Sequence, residues 1–213
     1  MTLDLYAASS RPLTRRPDRE TAHSFSFGEH YDPANLGFGP LIAHNDDKVS
    51  PGGGYPTHPH SDLEIVTWVL SGALVHTDSL GHHSVLEPGT VQVQSAGSGI
   101  THSEIADAAS GPTRFVQAWV RPDSSGGTPS RAVSSPVVAA GLHRVAGGSD
   151  LPIGVAGATF WVGSVASSVV LPEAPLLHVF DASSGDAWRV RDEPGRSLEL
   201  AAPGSLLVWA FDH

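Results

Sequence analysis

Apolar and polar residues alternate in short runs along the chain, and Gly or Pro interrupts each run before a helical period can establish itself. Alternation with a period of two marks a half-buried strand. Residues 23–27 alternate, with Phe25 and Phe27 on one face. Residues 31–35 turn, 40–44 form a second short strand, and 45–48 turn again. Residues 64–70 are apolar on both faces, the pattern of a fully buried strand, and Gly72 ends the run. Residues 74–77 return, 90–94 alternate cleanly, and 115–120 close the first half. Residues 1–22 read as polar and irregular. Many short strands joined by tight turns predict an all-β chain built as a barrel or sandwich.

Residues 121–135 are rich in Pro, Gly and Ser and read as a linker. The second half partly echoes the first. Residues 202–208 have the shape of 87–93, and 176–180, ahead of Gly185, match the apolar strand ahead of Gly72. Such self-similarity predicts a duplicated unit. The expected division is residues 1–121, a linker at 122–135, and a degenerate second copy at 136–213.

Composition narrows the chemistry. The 213 residues include no cysteine, so neither a disulfide framework nor a thiolate metal site is available. Any metal must be held by nitrogen and oxygen. The net charge of -10 disfavours nucleic acid and anionic membranes as partners. Arg11, Arg15, Arg16 and Arg19 cluster near the start and read as a solvated arm. No apolar run approaches the ~18 residues of a membrane span. The first residues lack the basic-then-apolar pattern of a signal peptide, so a cytoplasmic protein is expected.

The candidate chemistry lies in two stretches, His58-Pro59-His60 and His102-Ser103-Glu104. Side chains two apart on a strand share a face. His58 and His60 therefore project together, as do His102 and Glu104. If the two strands meet, three imidazoles and one carboxylate converge, a set suited to a first-row divalent metal. Pro59 cannot donate to a ladder, which places its strand at an edge. Nine of the twelve histidines precede residue 103, and no such pair follows residue 120, so only the first half carries a site. Glu64 is a weaker candidate, as a ligand or more readily as a carboxylate orienting an imidazole, and His44 a weaker one for orienting. His76 reads as structural, His82 and His83 as solvated, and Trp68, Trp119, Phe25 and Phe27 as core. No phosphate loop, dinucleotide fingerprint or nucleophile elbow is present.

The run from His58-Pro59-His60-Ser61-Asp62-Leu63-Glu64 to Gly72 resembles the first signature of the pirin family of bicupins. Asp78-Ser79-Leu80-Gly81, Pro88-Gly89 and Ser95-Ala96-Gly97-Ser98-Gly99-Ile100-Thr101-His102-Ser103-Glu104 are similar to the signatures that follow. The opening His23-Ser24-Phe25-Ser26-Phe27-Gly28 and Tyr31-Asp32-Pro33 also fit. The resemblance is strong from about residue 20 to 120 and looser afterwards. It implies two cupin barrels (double-stranded β-helix, or jelly-roll) packed together, with metal in the first.

The family's ligands map onto His58, His60, His102 and Glu104. The general cupin pattern expects a glutamate a little after the histidine pair, and Glu64 falls near that spacing without matching it. Some members resemble quercetin 2,3-dioxygenases, which open a flavonol with O2 and release carbon monoxide. Others act as transcriptional cofactors through protein contacts, and some lack a usable metal site. The resemblance thus implies a dioxygenase holding one divalent transition metal, with Glu104 as catalytic base. Fe(II) heads the candidates, ahead of Ni, Cu, Mn, Co and Zn, and the substrates are a flavonol and O2. A metal-sensing interaction protein, a metal-free relic and a cupin isomerase are the alternatives.

Overall fold

A computed structural model describes residues 2–134, 140–149 and 151–213. In chain order its strands are β1 (Thr2–Tyr6), β2 (Leu13–Arg16), β3 (Arg19–His23), β4 (Leu41–Val49), β5 (Gly54–His60), β6 (Glu64–Ser71) and β7 (Leu74–Asp78). Next come β8 (His83–Leu86), β9 (Val91–Ser95), β10 (Ile100–Ala106), β11 (Thr113–Val120), β12 (Ser130–Val133) and β13 (His143–Ala146). The last are β14 (Thr159–Val165), β15 (Ser168–Val170), β16 (Leu176–Asp181), β17 (Ala187–Arg191), β18 (Ser197–Glu199) and β19 (Gly204–Phe211). The only helix among the described residues is a single 3-10 turn at Ala8–Ser10. No helix there is long and apolar enough to cross a membrane.

The strands fall into two compact units, one holding β2 to β12 and the other β1 with β13 to β19. The first unit is a sandwich. Its seven-stranded sheet runs β12-β9-β6-β11-β4-β3-β2, and its four-stranded sheet runs β5-β10-β7-β8. The second unit has a six-stranded sheet, β1-β17-β16-β19-β14-β13, and the two-stranded pair β15-β18. Its core gathers Leu177, Val179, Val190, Leu206 and Val208 with Leu198 of β18. The architecture is all-β and jelly-roll, as expected, although its sheets stay open and do not close into barrels.

Several local expectations shift, and residues 45–48, expected to turn, lie inside β4. Residues 1–22 are not irregular but carry β1, β2 and β3. The strand expected at 23–27 ends at His23, because the alternation that matters lies upstream: Thr21 and His23 are buried on β3 and pair with Asp47 and Asn45. Residues 122–135, expected as a linker, include β12, which pairs with β9. The expected boundary between residues 135 and 136 lies outside the described residues. Of the clustered arginines, Arg15 and Arg16 are exposed as expected, but the other two are not. Arg11 is buried over the Phe180 ring, and Arg19 stacks on Tyr55 at 4.4 Å.

The first sandwich is divided along its length. At one end Val49, Val69, Leu74, Leu86, Ala106 and Phe115 make an apolar core, capped by Tyr55. Towards the other end, register brings polar side chains into one row across the large sheet. Asn45 pairs with Gln117, Gln117 with Thr67, and Thr67 with Gln92. β5 ends the small sheet, and its two prolines, Pro56 and Pro59, bring no N–H to either side.

β5 and β10 approach closely at Gly54, whose φ is +136°. A Cβ there would overlap the Glu104 carbonyl oxygen, whereas one at Gly52 (φ +76°) would meet nothing within 4 Å. Gly52→Ala is therefore expected to lose only the left-handed backbone penalty, about 1–2 kcal/mol. Gly54→Ala is expected to lose about 3 kcal/mol or more, since backbone must move as well. Equilibrium urea unfolding of the two variants checks the difference.

Candidate metal centre

The centre is assembled by one antiparallel pair. β10 lies between β5 and β7, with His102 opposite His58 on one side and Asp78 on the other. Alternation turns His58, His60 and His102 to the inner face of the small sheet. Between His102 and Glu104 the β5 register shifts by one residue, so Glu104 pairs with Tyr55. That bulge falls at Pro56 and Thr57, and it re-aims β5 at the site's rim, a common place for bulges.

His60 packs edge to face against both His58 and His102, and the His58 and His102 rings are tilted by 52°. Centroids are 4.8 Å apart for His58 and His60, 4.6 Å for His58 and His102, and 5.0 Å for His60 and His102. One donor atom from each lies within 4.8 Å of the others. Glu104 does not complete this group as a fourth equal member. It forms a second triad with His102 and His76, again within 4.8 Å. The structure therefore distributes the four expected residues over two triads that share His102, and adds His76, which the sequence pattern had assigned a structural part.

Burial sets the protonation states. It holds His60 down to about 4 and His102 down to about 3, helped in each case by neighbouring imidazoles. Both are neutral at pH 7, the form that offers a lone pair to a metal. Glu104 is pushed the other way, up to about 7, by burial that outweighs the hydrogen bonds from Gln117 and Thr67. Asp47, deeper in the same unit, rises to about 6 for the same reason, although Thr21 and Tyr55 both donate to it.

These groups fit a divalent cation. His58 is bonded through Nδ1 to the Pro56 carbonyl at 2.8 Å, which commits Nδ1 as donor and leaves Nε2 as a lone pair. That Nε2 lies 3.1 Å from His102 Nε2, a separation that two ligands of one cation show when each is about 2.1 Å from it. His60 Nε2 is buried with no hydrogen-bond partner. An orphaned acceptor of this kind costs roughly 1–3 kcal/mol unless something meets it.

Residues the pattern passed over hold the carboxylate. Gln117 Nε2 donates to both Glu104 oxygens, at 2.9 and 2.8 Å, and Thr67 Oγ1 approaches Oε1 at 3.4 Å. The signal was present in the parity of β11, where Gln117 and Trp119 share a face. Trp119 is half-buried, not core: its ring stands 5.0 Å from His60 and 5.1 Å from Phe27. Glu64 is excluded from the centre. It lies on the opposite face of β6 from Thr67 and accepts from Ser95 Oγ at 2.7 Å. His44 likewise falls on the opposite face of β4 from Asn45. His82 and His83 are engaged as well as exposed, the first with Asp78 and the second with Thr77. Among the described residues, the second unit contains no comparable cluster.

Known proteins resemble the chain along much or nearly all of its length. The Pirin family model matches residues 7–120. A Mycobacterium tuberculosis protein named "Putative quercetin 2,3-dioxygenase" is 40% identical over 98% of this chain and 94% of its own. The crystal structure of Escherichia coli YhhW covers 99% of this chain and 97% of its own, with a TM-score of 0.87 at 26% identity. The structure of the bacterial pirin YhhW in complex with nickel(II), also from Escherichia coli, covers 99% of both chains, with a TM-score of 0.84 at 27% identity.

The raised carboxyl of Glu104 has a measurable sign. Its folded value of about 7 exceeds the ordinary 4.5, so the native state binds its proton more tightly than the unfolded chain does. This group therefore takes stability away from the metal-free protein as pH rises from about 4.5 to about 7. His60 and His102, depressed to about 4 and about 3, act oppositely and add stability as pH rises towards 6.5. Glu104→Gln removes only the first contribution. Its advantage over the parent should grow between pH 4.5 and 7, to at most about 3 kcal/mol. Urea unfolding of chelator-treated protein at pH 4.5, 6 and 8 reads it directly.

Proposed function

The chain belongs to the pirin family, and from that premise we propose that it is a metal-dependent dioxygenase opening flavonol-type substrates such as quercetin with O2 and releasing carbon monoxide. One observation carries the proposal: neutral imidazoles and a buried carboxylate gathered around His102 in the first unit. His58, His60, His102 and Glu104 would hold the cation, with Fe(II) the ion proposed. Intrinsic affinity would favour copper or nickel, so cellular supply decides the occupant. When bound, such a cation supplies Lewis acidity towards a substrate hydroxyl and a redox-capable centre for O2 chemistry.

The chain's own residues do the remaining work. Glu104 accepts the flavonol hydroxyl proton at a carboxylate oxygen. Gln117 and Thr67 hold that carboxylate in place. An open depression of about 450 Å³ reaches His60 between Pro59 and Ile100, with the hydroxyls of Ser61, Ser79 and Thr101 on its walls. Its mixture of apolar and hydroxyl surface matches a flat polyphenol. Trp119 and Phe27 add an aromatic wall beside His60.

Protein purified without metal-chelating resin should carry a single divalent metal per chain, lost in His58→Ala and in Glu104→Ala. Metal retained by both variants would move the site elsewhere. Protein loaded anaerobically with Fe(II) and quercetin should bleach the flavonol absorbance and evolve carbon monoxide once oxygen is admitted. Absence of turnover with each of several divalent metals would remove the flavonol substrate.

A further inference from the structure

Two triads share His102, and a cation can be gripped by either: His58 and His60 on one side, or His76 and Glu104 on the other. Two buried amides bear on the choice. Gln117 accepts the Trp119 indole N–H on Oε1 at 3.0 Å and turns its NH2 to Glu104. Gln92 accepts the Arg131 Nε–H on Oε1 at 2.5 Å and turns its NH2 to His76 Nδ1, at 3.3 Å. Arg131 is itself fixed by a second bond, from its guanidinium to Ser84 Oγ.

A primary amide has one accepting end and one donating end. A donor held on the oxygen therefore dictates where the NH2 points. For Gln92 the consequence passes on to the imidazole. Nδ1 of His76 must accept, so Nε2 carries the proton and donates it to Asp78 Oδ2 at 3.1 Å. Both ring nitrogens are then occupied, although the ring centroid lies only 5.4 Å from that of His102.

We propose that Arg131 and Trp119 are positioning residues acting through Gln92 and Gln117, the first keeping His76 out of the cation's ligand set and the second keeping Glu104 within it. This rests on His58, His60, His102 and Glu104 being the ligands. It also gives a site role to β12, a strand in the stretch whose composition read as linker.

Nuclear magnetic resonance of the metal-free protein tests the relay without any ligand. The side-chain amides of Gln92 and Gln117 should exchange slowly and resonate away from ordinary glutamines. Arg131→Met should release only Gln92, and Trp119→Phe only Gln117. Cobalt(II) then reads the consequence. Trp119→Phe should weaken cobalt binding about 10-fold, and Gln117→Ala in the same chain should leave little further effect, because both act along one path. Arg131→Met should change the cobalt d–d spectrum as His76 enters the ligand set, and His76→Phe added to it should restore the parental spectrum.

Arg131→Lys carries the same test should the methionine variant fail to fold, since it keeps the charge but not the fork that spans Gln92 and Ser84. Folded variants whose amide resonances and cobalt spectra match the parent would overturn the proposal. Unchanged cobalt binding in His58→Ala and Glu104→Ala would instead remove the ligand assignment, while the amide resonances still decide the relay.

Discussion

The first unit depends on a constraint of burial: a polar group enclosed between two sheets is costly to leave without a partner there. Leaving one unmet costs roughly 1–3 kcal/mol, and more for a charge. Glu104, at 1% exposure, meets this through Gln117 and Thr67. His76 meets it through Gln92 and Asp78. The row Asn45, Gln117, Thr67 and Gln92 gives up apolar packing so that the opposite sheet can carry imidazoles and a carboxylate. A network of this kind is stabilising only when every member is satisfied. Replacing one amide by an apolar residue of equal size would therefore disturb the carboxylate or imidazole beyond it.

The sandwich accommodates that concession by separating its two tasks along the strands. Val49, Val69, Leu74 and Phe115 supply apolar burial at one end, and Asp47 with Tyr55 and Thr21 marks the transition. The same strands thus stabilise the fold with one stretch and present the centre with the next. β10 shows the division within seven residues: Ala106 belongs to the core, Glu104 to the carboxylate network, and His102 to both triads.

Much of this was legible in the sequence, and the reason is parity. His58 with His60, and His102 with Glu104, declare a shared face without any knowledge of pairing. What parity could not give is the partner strand's register. The bulge at Pro56 and Thr57 sets Tyr55 opposite Glu104 where an even register would have placed Pro56. Gln117 and Gln92 were hidden by their surroundings, since an amide among Phe, Val and Trp reads as one more strand position. Thr67 was concealed in a run taken as apolar on both faces. His76 could not be placed because its role depends on Gln92 and Asp78, which only folding brings together. At the amino terminus, β2 and β3 are rich in charged residues and carry too little hydrophobic contrast to show a period, whereas β1 does alternate at Leu3 and Leu5 but is only five residues long.

The prolines of β5 reach beyond the geometry of the centre. A terminal strand ordinarily offers its unused N–H and C=O groups to any extended segment that drifts past, and thereby templates intermolecular pairing. Pro56 and Pro59 weaken that invitation, since neither has an N–H to give. The chain can thus leave its ligand-bearing border uncovered, open to small molecules, while discouraging recruitment into aggregates.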